Sequence, residues 1–384
     1  MADILDYLDW RGDLRLSERG FNEVDNLLLA ELCFLNFSGV VTTDFAASVR
    51  LDDAVRMAEK LRPHEQMGVL VPDRIPLLAR KMAACARFRD TLLSGYVNQI
   101  DEQTETQFSA LSFTLPDGSV YVAFRGTDDT LVGWKEDFNL SFLECVPAQT
   151  LAACYLQQAA EAFAPRPLRV GGHSKGGNLA VYSAVFAPPQ VQDRLLAVYN
   201  NDGPGFRTSL LPLEEHRRIA GRIQTILPES SVVGMLLEHE EQYEVVRSTQ
   251  LGLMQHDGFS WQVVGEHFVH LPELTGGGKL VDQTLHTFIG SLSDQQRMQL
   301  TDVLFDILCC TGADTLTELK QGGLHTAASI LRTIRELDKP TRHALGGMLT
   351  LFVRAGAKSA VSEPLQRLLG QKLFRRAADD LKND

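Results

Sequence analysis

The chain has 384 residues, 44% of them hydrophobic and 22% charged, enough to bury one large core and a smaller satellite. Its net charge of −12 opposes nucleic acid and anionic lipid surfaces as partners, because both are bound through clustered Lys and Arg. There is no apolar run of about eighteen residues, and the acidic start MADILDYLDWRGD is unlike a secretory signal, so the expectation is a cytoplasmic protein without stable membrane insertion.

Six cysteines (Cys33, Cys85, Cys145, Cys154, Cys309 and Cys310) occur without CxxC spacing, which fits reduced thiols better than a zinc site or a disulfide framework. Apolar residues recur at helical spacing over 25–37, 51–61 and 75–89. From Leu92 the pattern changes to short strands, 95–100, 106–115 and 119–124, the last two joined by the hairpin signal Pro116-Asp117-Gly118. A helix over 150–163, a strand over 168–170 and a helix over 177–186 follow, then strands over 195–199, 223–227 and 243–247. This alternation predicts an α/β chain with a mostly parallel sheet covered on both faces. Gly276-Gly277-Gly278-Lys279 reads as a joint between a domain of residues 1–275 and a C-terminal helical region of residues 280–384, with helical patterns over 280–308, 316–337, 341–353 and 364–381.

Gly172-His173-Ser174-Lys175-Gly176 satisfies G-x-S-x-G between a short apolar strand and a helix. In that context the serine is the candidate nucleophile on a strained strand-to-helix turn, and the glycines two before and two after it remove side chains that would strike neighbouring backbone. A Walker loop needs a different spacing, G-x-x-x-x-G-K-[ST]. His173 and Lys175 diverge from the serine oxygen as chain neighbours, while the Lys175 amide suits one half of an oxyanion hole.

A serine needs a base, and the base needs an orienting acid. Downstream histidines are His216, His239, His256, His267, His270, His286, His325 and His343. His256 is the preferred base, in the turn-rich GLMQHDGFSW after a strand. His239 lies in the charged run LLEHEEQY and is expected to face solvent. For the acid, Asp202 follows the apolar strand LLAVYNN, and Glu229 competes because it also follows a strand end; Asp257 adjoins the histidine too closely to reach its ring. Thr127, after the strand SVYVAF, is the candidate second oxyanion donor, with Asp128 beside it. Residues 132–147 read equally as a lid over an apolar acyl groove and as a packed surface loop.

The blocks VYVAFRGTDD, GWKEDFNL, VGGHSKGGNLAVYSA, NNDGPGF and QHDGFSW, with the opening IxDYLDWRGDLxLxExxFNEVDNLLL, resemble the bacterial lipase-like α/β hydrolases of largely uncharacterised function, distant relatives of class 3 lipases. The likeness runs from about residue 4 to 265. It implies an α/β-hydrolase fold, Ser174 as nucleophile, His256 as the terminal histidine, the Thr127 and Lys175 amides as oxyanion donors, and an ester or lipid substrate. In class 3 lipases the acid follows the strand equivalent to 223–227, where this chain has PESSVVG. That leaves Asp202 as a migrated acid, Glu229, or an impaired site. The expected function is therefore a serine hydrolase of the esterase or lipase type, without cofactor or metal. The alternative is a catalytically weak binding or scaffold protein that keeps the hydrolase shell.

Overall fold

Along residues 120–124 successive side chains enter opposite cores, Tyr121 and Ala123 one, and Val120, Val122 and Phe124 the other. A strand with that period-two pattern and no solvent face requires a layer of helices on each side of its sheet. The computed structural model, which describes residues 1–63, 67–207, 213–239, 241–275, 292–339, 341–342 and 345–346, has both layers.

In chain order the elements are α1 (Ile4–Arg11), α2 (Glu23–Leu32), β1 (Val49–Arg50), α3 (Leu51–Leu61), α4 (Ile75–Ala84), β2 (Leu92–Asp101), β3 (Thr106–Thr114) and β4 (Val120–Phe124). There follow α5 (Leu131–Asn139), α6 (Pro147–Ala162), β5 (Leu168–His173), α7 (Lys175–Val185), α8 (Pro189–Gln192), β6 (Leu195–Asn201) and α9 (Leu213–Ile219). The rest are β7 (Ile223–Pro228), β8 (Tyr243–Val246), the pair β9 (Val263–Val264) and β10 (His267–Phe268), β11 (His270–Leu271), α10 (Asp294–Cys309), α11 (Leu316–Gln321) and α12 (Gly323–Glu336).

Nine strands form one sheet in the order β1-β2-β3-β4-β5-β6-β7-β8-β11. The expected parallel arrangement holds across β4 to β8 only; β1 to β4 pair antiparallel, and so do β8 and β11. Helices α1 to α4 cover one face and α6 to α9 the other. In register, Phe124 pairs with Gly172, His173 with Asn201, and Asn201 with Ile226, so the C-terminal ends of four central strands finish level with one another. Open parallel sheets place their chemistry along that edge.

The N-terminal helices are fastened from beneath. Asn22 caps α2 reciprocally with Asp25, worth about 1 kcal/mol. Asp25 also takes the guanidinium of Arg87 and the hydroxyl of Tyr7, and Arg87 donates further to the carbonyls of Leu14, Arg19 and Gly20. Strand β5 runs three residues beyond its expected end, because backbone pairing to β4 and β6 continues through Gly171 and Gly172.

Helices α10 and α11 pack against α5. Leu131 N–H donates to Asp314 C=O at 2.8 Å, Leu316 N–H to Asp129 C=O at 2.9 Å, and the Phe138 and Phe305 rings meet edge-on at 5.6 Å. The pattern over 316–337 divides at Gly322-Gly323 into α11 and α12. The Gly276–Lys279 joint, the start of 280–308, the 364–381 helix and almost all of 341–353 lie outside the described residues, as do His286 and His343. No helix among the described residues is long and apolar enough to cross a membrane.

Candidate active site

Ser174 occupies the single residue between β5 and α7 with φ 60° and ψ −133°, a strained conformation for a residue with a side chain. Close packing enforces the turn. A Cβ on Gly176 would lie 2.1 Å from Phe124 O, and one on Gly172 would lie 2.3 Å from the backbone of Gly176. Ser174 N–H donates to Asn201 C=O, and the Asn201 side chain donates to Gly172 C=O, both at 2.9 Å. Asn26 of α2 donates to Asn201 at 2.8 Å and accepts the Tyr121 hydroxyl at 2.7 Å, so a buried polar network supports the turn from below.

Asp202 follows β6 with φ 50° and is fully buried. Its Oδ2 accepts from Nδ1 of His256 at 2.7 Å, and its Oδ1 accepts from the Ser231 hydroxyl and from Gly234 N–H. Three donors on one buried carboxylate compensate its desolvation and fix its plane. His256 ends a 3₁₀ turn, Gly252–His256, and its side chain is 24% exposed. The turn is anchored by Trp261 Nε1–H, which donates to Gln255 C=O, and by Ser230 N–H, which donates to Gln255 Oε1. With Nδ1–H committed to the carboxylate, Nε2 carries the free lone pair.

His173 holds the same imidazole from the other side. Its Nε2–H donates to His256 C=O at 2.7 Å, and the two rings meet at a tilt of 34° with centroids 4.5 Å apart. Burial keeps His173 well below the ordinary histidine value, with the His256 charge adding to the effect, so it is neutral. Its Nδ1 lies 3.6 Å from the carboxyl of Glu31, which burial raises well above the usual carboxylate range. The Ser174 hydroxyl does not cap α7 and makes no hydrogen bond to His256 in this structure. Such bonds commonly tighten only when a substrate is bound.

On the opposite side, a Cβ on Gly126 would lie 3.0 Å from the Cβ of Ser174, which places Thr127 one residue from the turn. The Thr127 hydroxyl donates to Asp137 Oδ2 on α5. Burial pushes Asp137 up to about 6, against the lowering effect of Lys175 and of the Thr127 hydroxyl. The Lys175 amide is the first of α7 and has no intrahelical acceptor. Its side chain turns away and is buried, donating from Nζ to Gln107 O and Oε1 and to Glu136 Oε2, all within 2.9 Å. Glu136 also accepts Gln107 N–H and Ala148 N–H, which ties α5 to β3 and α6.

Other sequence expectations resolve differently. Glu229 Oε1 accepts Ser248 N–H at 3.3 Å, while the carboxylate bonded to His256 is that of Asp202, and Asp257 caps the following 3₁₀ turn through Phe259 N–H. The expectation that His239 faces solvent is wrong. Its side chain is 4% exposed, because Glu241 and Gly234 C=O occupy its two nitrogens. His267 and His270 pair with Glu23, the first residue of α2. Residues 131–139 form a packed helix. Sequence reasoning missed Asn26, Ser231, Gly234, Glu136 and Asp137; a buried role for Glu136 was signalled only by its place beside the aromatic residues of GWKEDF. A cavity of about 610 Å³ opens elsewhere, between Met67–Val69 and Thr317–Gln321.

Comparison with known proteins gives one family. The model of the family described as Mbeg1-like matches residues 82–306, more than half of the chain. No curated protein matches. A solved structure titled "Crystal structure of M37 lipase" aligns over 54% of this chain and 68% of its own at 11% identity, with a TM-score of 0.35, too distant a likeness to carry an argument.

Proposed function

We propose that this chain, which belongs to the Mbeg1-like family, is a serine hydrolase of α/β-hydrolase architecture that cleaves carboxylic esters, lipid esters included, through an acyl-enzyme. The observation that carries the reading is a serine at φ 60° on a strand-to-helix turn together with an imidazole that a buried carboxylate holds and that lies 4.5 Å, ring to ring, from the serine's chain neighbour His173. In this reading residues 1–275 are the hydrolase domain and residues 280–384 a C-terminal helical region.

His256 Nε2 takes the proton of Ser174 Oγ as that oxygen bonds to the ester carbonyl carbon. The carbonyl π electrons move onto its oxygen, and the amides of Thr127 and Lys175 stabilise the resulting anion together with the N-terminal end of α7. Collapse breaks the bond to the alkoxy group, which leaves with the proton from His256. Water then repeats the sequence on the acyl-enzyme and restores Ser174. Throughout, Asp202 holds the imidazolium that forms in each half-reaction.

A fluorophosphonate probe tests this directly. Covalent labelling is expected at Ser174, absent in Ser174→Ala and sharply reduced in His256→Ala, and p-nitrophenyl esters from acetate to palmitate would then define the acyl preference. A folded protein that resists the probe would favour the scaffold reading instead.

A further inference from the structure

Behind Asp202 lies a second buried charged cluster. Glu241 is 8% exposed and is met by three side chains: the Thr225 hydroxyl on β7 donates to Oε1 at 2.5 Å, His239 Nδ1 of its own loop lies 3.3 Å from the same oxygen, and His216 Nε2 on α9 lies 3.8 Å from Oε2. His239 directs its other nitrogen, Nε2, at Gly234 C=O. A carbonyl and a carboxylate only accept, and imidazole carries N–H on both nitrogens only when protonated, so the two contacts together require the charged ring. Burial opposes that charge, but the hydrogen bond to Glu241 and its negative charge outweigh it, and His239 titrates above the ordinary histidine value. The charged and titratable groups facing it are Glu241, His216 behind Glu241, the carboxylate of Asp202, and the Tyr243 ring at 6.4 Å.

Gly234 joins this cluster to the site. Its C=O accepts from His239, and its N–H donates to Asp202 Oδ1 at 3.2 Å. A Cβ there would lie 2.4 Å from that same Oδ1, so the bare backbone is pressed against the carboxylate.

We infer that His239 is a positioning residue for the acid: through Gly234 it holds the loop after β7 against Asp202, and so aims Oδ2 at His256. The inference rests on the hydrolase reading of Ser174, His256 and Asp202. His239 touches no reacting atom. Above its titration point the ring keeps one N–H, which goes to the anionic Glu241 as the stronger acceptor; the bond to Gly234 C=O is the one given up, which loosens Gly234 and produces a fall in activity on the alkaline side.

The test uses the full chain with His239→Leu, which removes both contacts, and His239→Gln, whose amide retains a donor toward Gly234 C=O. Two readouts are needed: the second-order rate of fluorophosphonate labelling across neutral and alkaline pH, and the NMR signal of the His256 Nδ1 proton shared with Asp202. Leu is expected to slow labelling about tenfold or more and to shift or abolish the proton signal. Gln is expected to keep most of the rate and to lack the alkaline fall of the wild type. A folded Leu variant with wild-type labelling and an unchanged Nδ1 signal overturns the inference and leaves the hydrolase reading standing. If the wild type resists the probe, the hydrolase reading fails and the Nδ1 signal still decides the contact chain: loss in the Leu variant upholds it, and persistence overturns it. Should His239→Leu not fold, the pH profile and Nδ1 signal of His239→Gln decide, since an alkaline fall like the wild type's excludes His239 as its source.

Discussion

Oδ2 of Asp202 accepts from Nδ1 of His256 at 2.7 Å across 54 residues of chain, and the loop after β7 reaches back to the same carboxylate through Ser231 and Gly234. The carboxylate stands at the end of β6, one strand before the position that the class 3 resemblance implies. The serines of PESSVVG are not vacant positions in this arrangement. Ser231 supplies a hydroxyl where an acid would repel Asp202, so the neighbouring strand end supports the Asp202 carboxylate.

Substituting Asp202 and Glu229 separately should therefore give unequal results. Asp202→Asn leaves the shape but removes the charge and the acceptor that fixes the imidazole tautomer, and labelling at Ser174 is expected to fall by about 10³–10⁴-fold. Glu229→Gln, whose oxygen still accepts from Ser248 N–H, should stay within about twofold. Ser231→Ala removes one of two donors to Oδ1 and should cost about tenfold, the kinetic equivalent of one hydrogen bond to a charged group. The labelling rates of the three variants, compared side by side, decide it; equal losses in Asp202→Asn and Glu229→Gln would remove Asp202 from the assignment.

Legibility in the sequence follows how local each determinant is. The turn at Ser174 is spelled by five consecutive residues, so its shape is readable from the motif, while the Phe124 carbonyl that makes glycine necessary at 172 and 176 comes from a neighbouring strand. The pairing of Asp202 with His256 depends on which strand ends finish level, and the sequence narrows that choice only to strand-end acids. His239 was misread because LLEHEEQY surrounds it with charge, and charge normally marks a solvated face. Its burial depends on Glu241, in a loop, meeting Thr225 of β7, and no periodicity carries that information. Lys175 and Glu136 were opaque for the same reason: each is an ordinary surface residue until the other, 39 positions away, is brought to 2.9 Å.

Asp137 gives a stability signature. Its folded-state value of about 6 exceeds the ordinary 3.8 through burial, so the native state binds its proton more tightly than the unfolded chain. The contribution favours folding at low pH and is lost as pH rises from about 4 to about 6, amounting to roughly 3 kcal/mol once the group is ionised. Asp137→Asn still accepts the Thr127 hydroxyl and never ionises. Its stability relative to the wild type should improve through that window and level off above it. Urea denaturation at the two ends of the window is the measurement, and a difference independent of pH would contradict the assignment.

Glycine substitutions separate propensity from packing. In an exposed helix Gly→Ala stabilises by about 1 kcal/mol. At Gly176, in the first turn of α7, the added carbon would lie 2.1 Å from Phe124 O, a backbone atom of a central strand that cannot yield. Gly176→Ala is therefore expected to destabilise by about 2–3 kcal/mol or more despite its better propensity. At Gly221 nothing lies within 4 Å of the added carbon, and Gly221→Ala should be neutral or slightly stabilising. Denaturant midpoints of the two variants measure the contrast.

The packing of α5 supports the packed-segment reading of residues 132–147 over the lid reading. Its inner face carries Glu136, fully buried and bonded to Lys175, Gln107 and Ala148; its outer face carries Phe138, which meets Phe305 of α10. Lifting α5 as a lid would break the Lys175–Glu136 pair and strand a buried charge, a cost of about 3–5 kcal/mol. Truncating Phe305, which is 4% exposed, should loosen only the outer contact, since Leu131 and Asp129 still hold α11 by backbone bonds. For Phe305→Ala, hydrogen exchange over Asp294–Cys309 should accelerate while Leu131–Asn139 keeps its protection, and labelling at Ser174 should stay within about twofold. Loss of protection in α5 together with α10 would mean that the two move as one unit, and a lid reading would regain its footing.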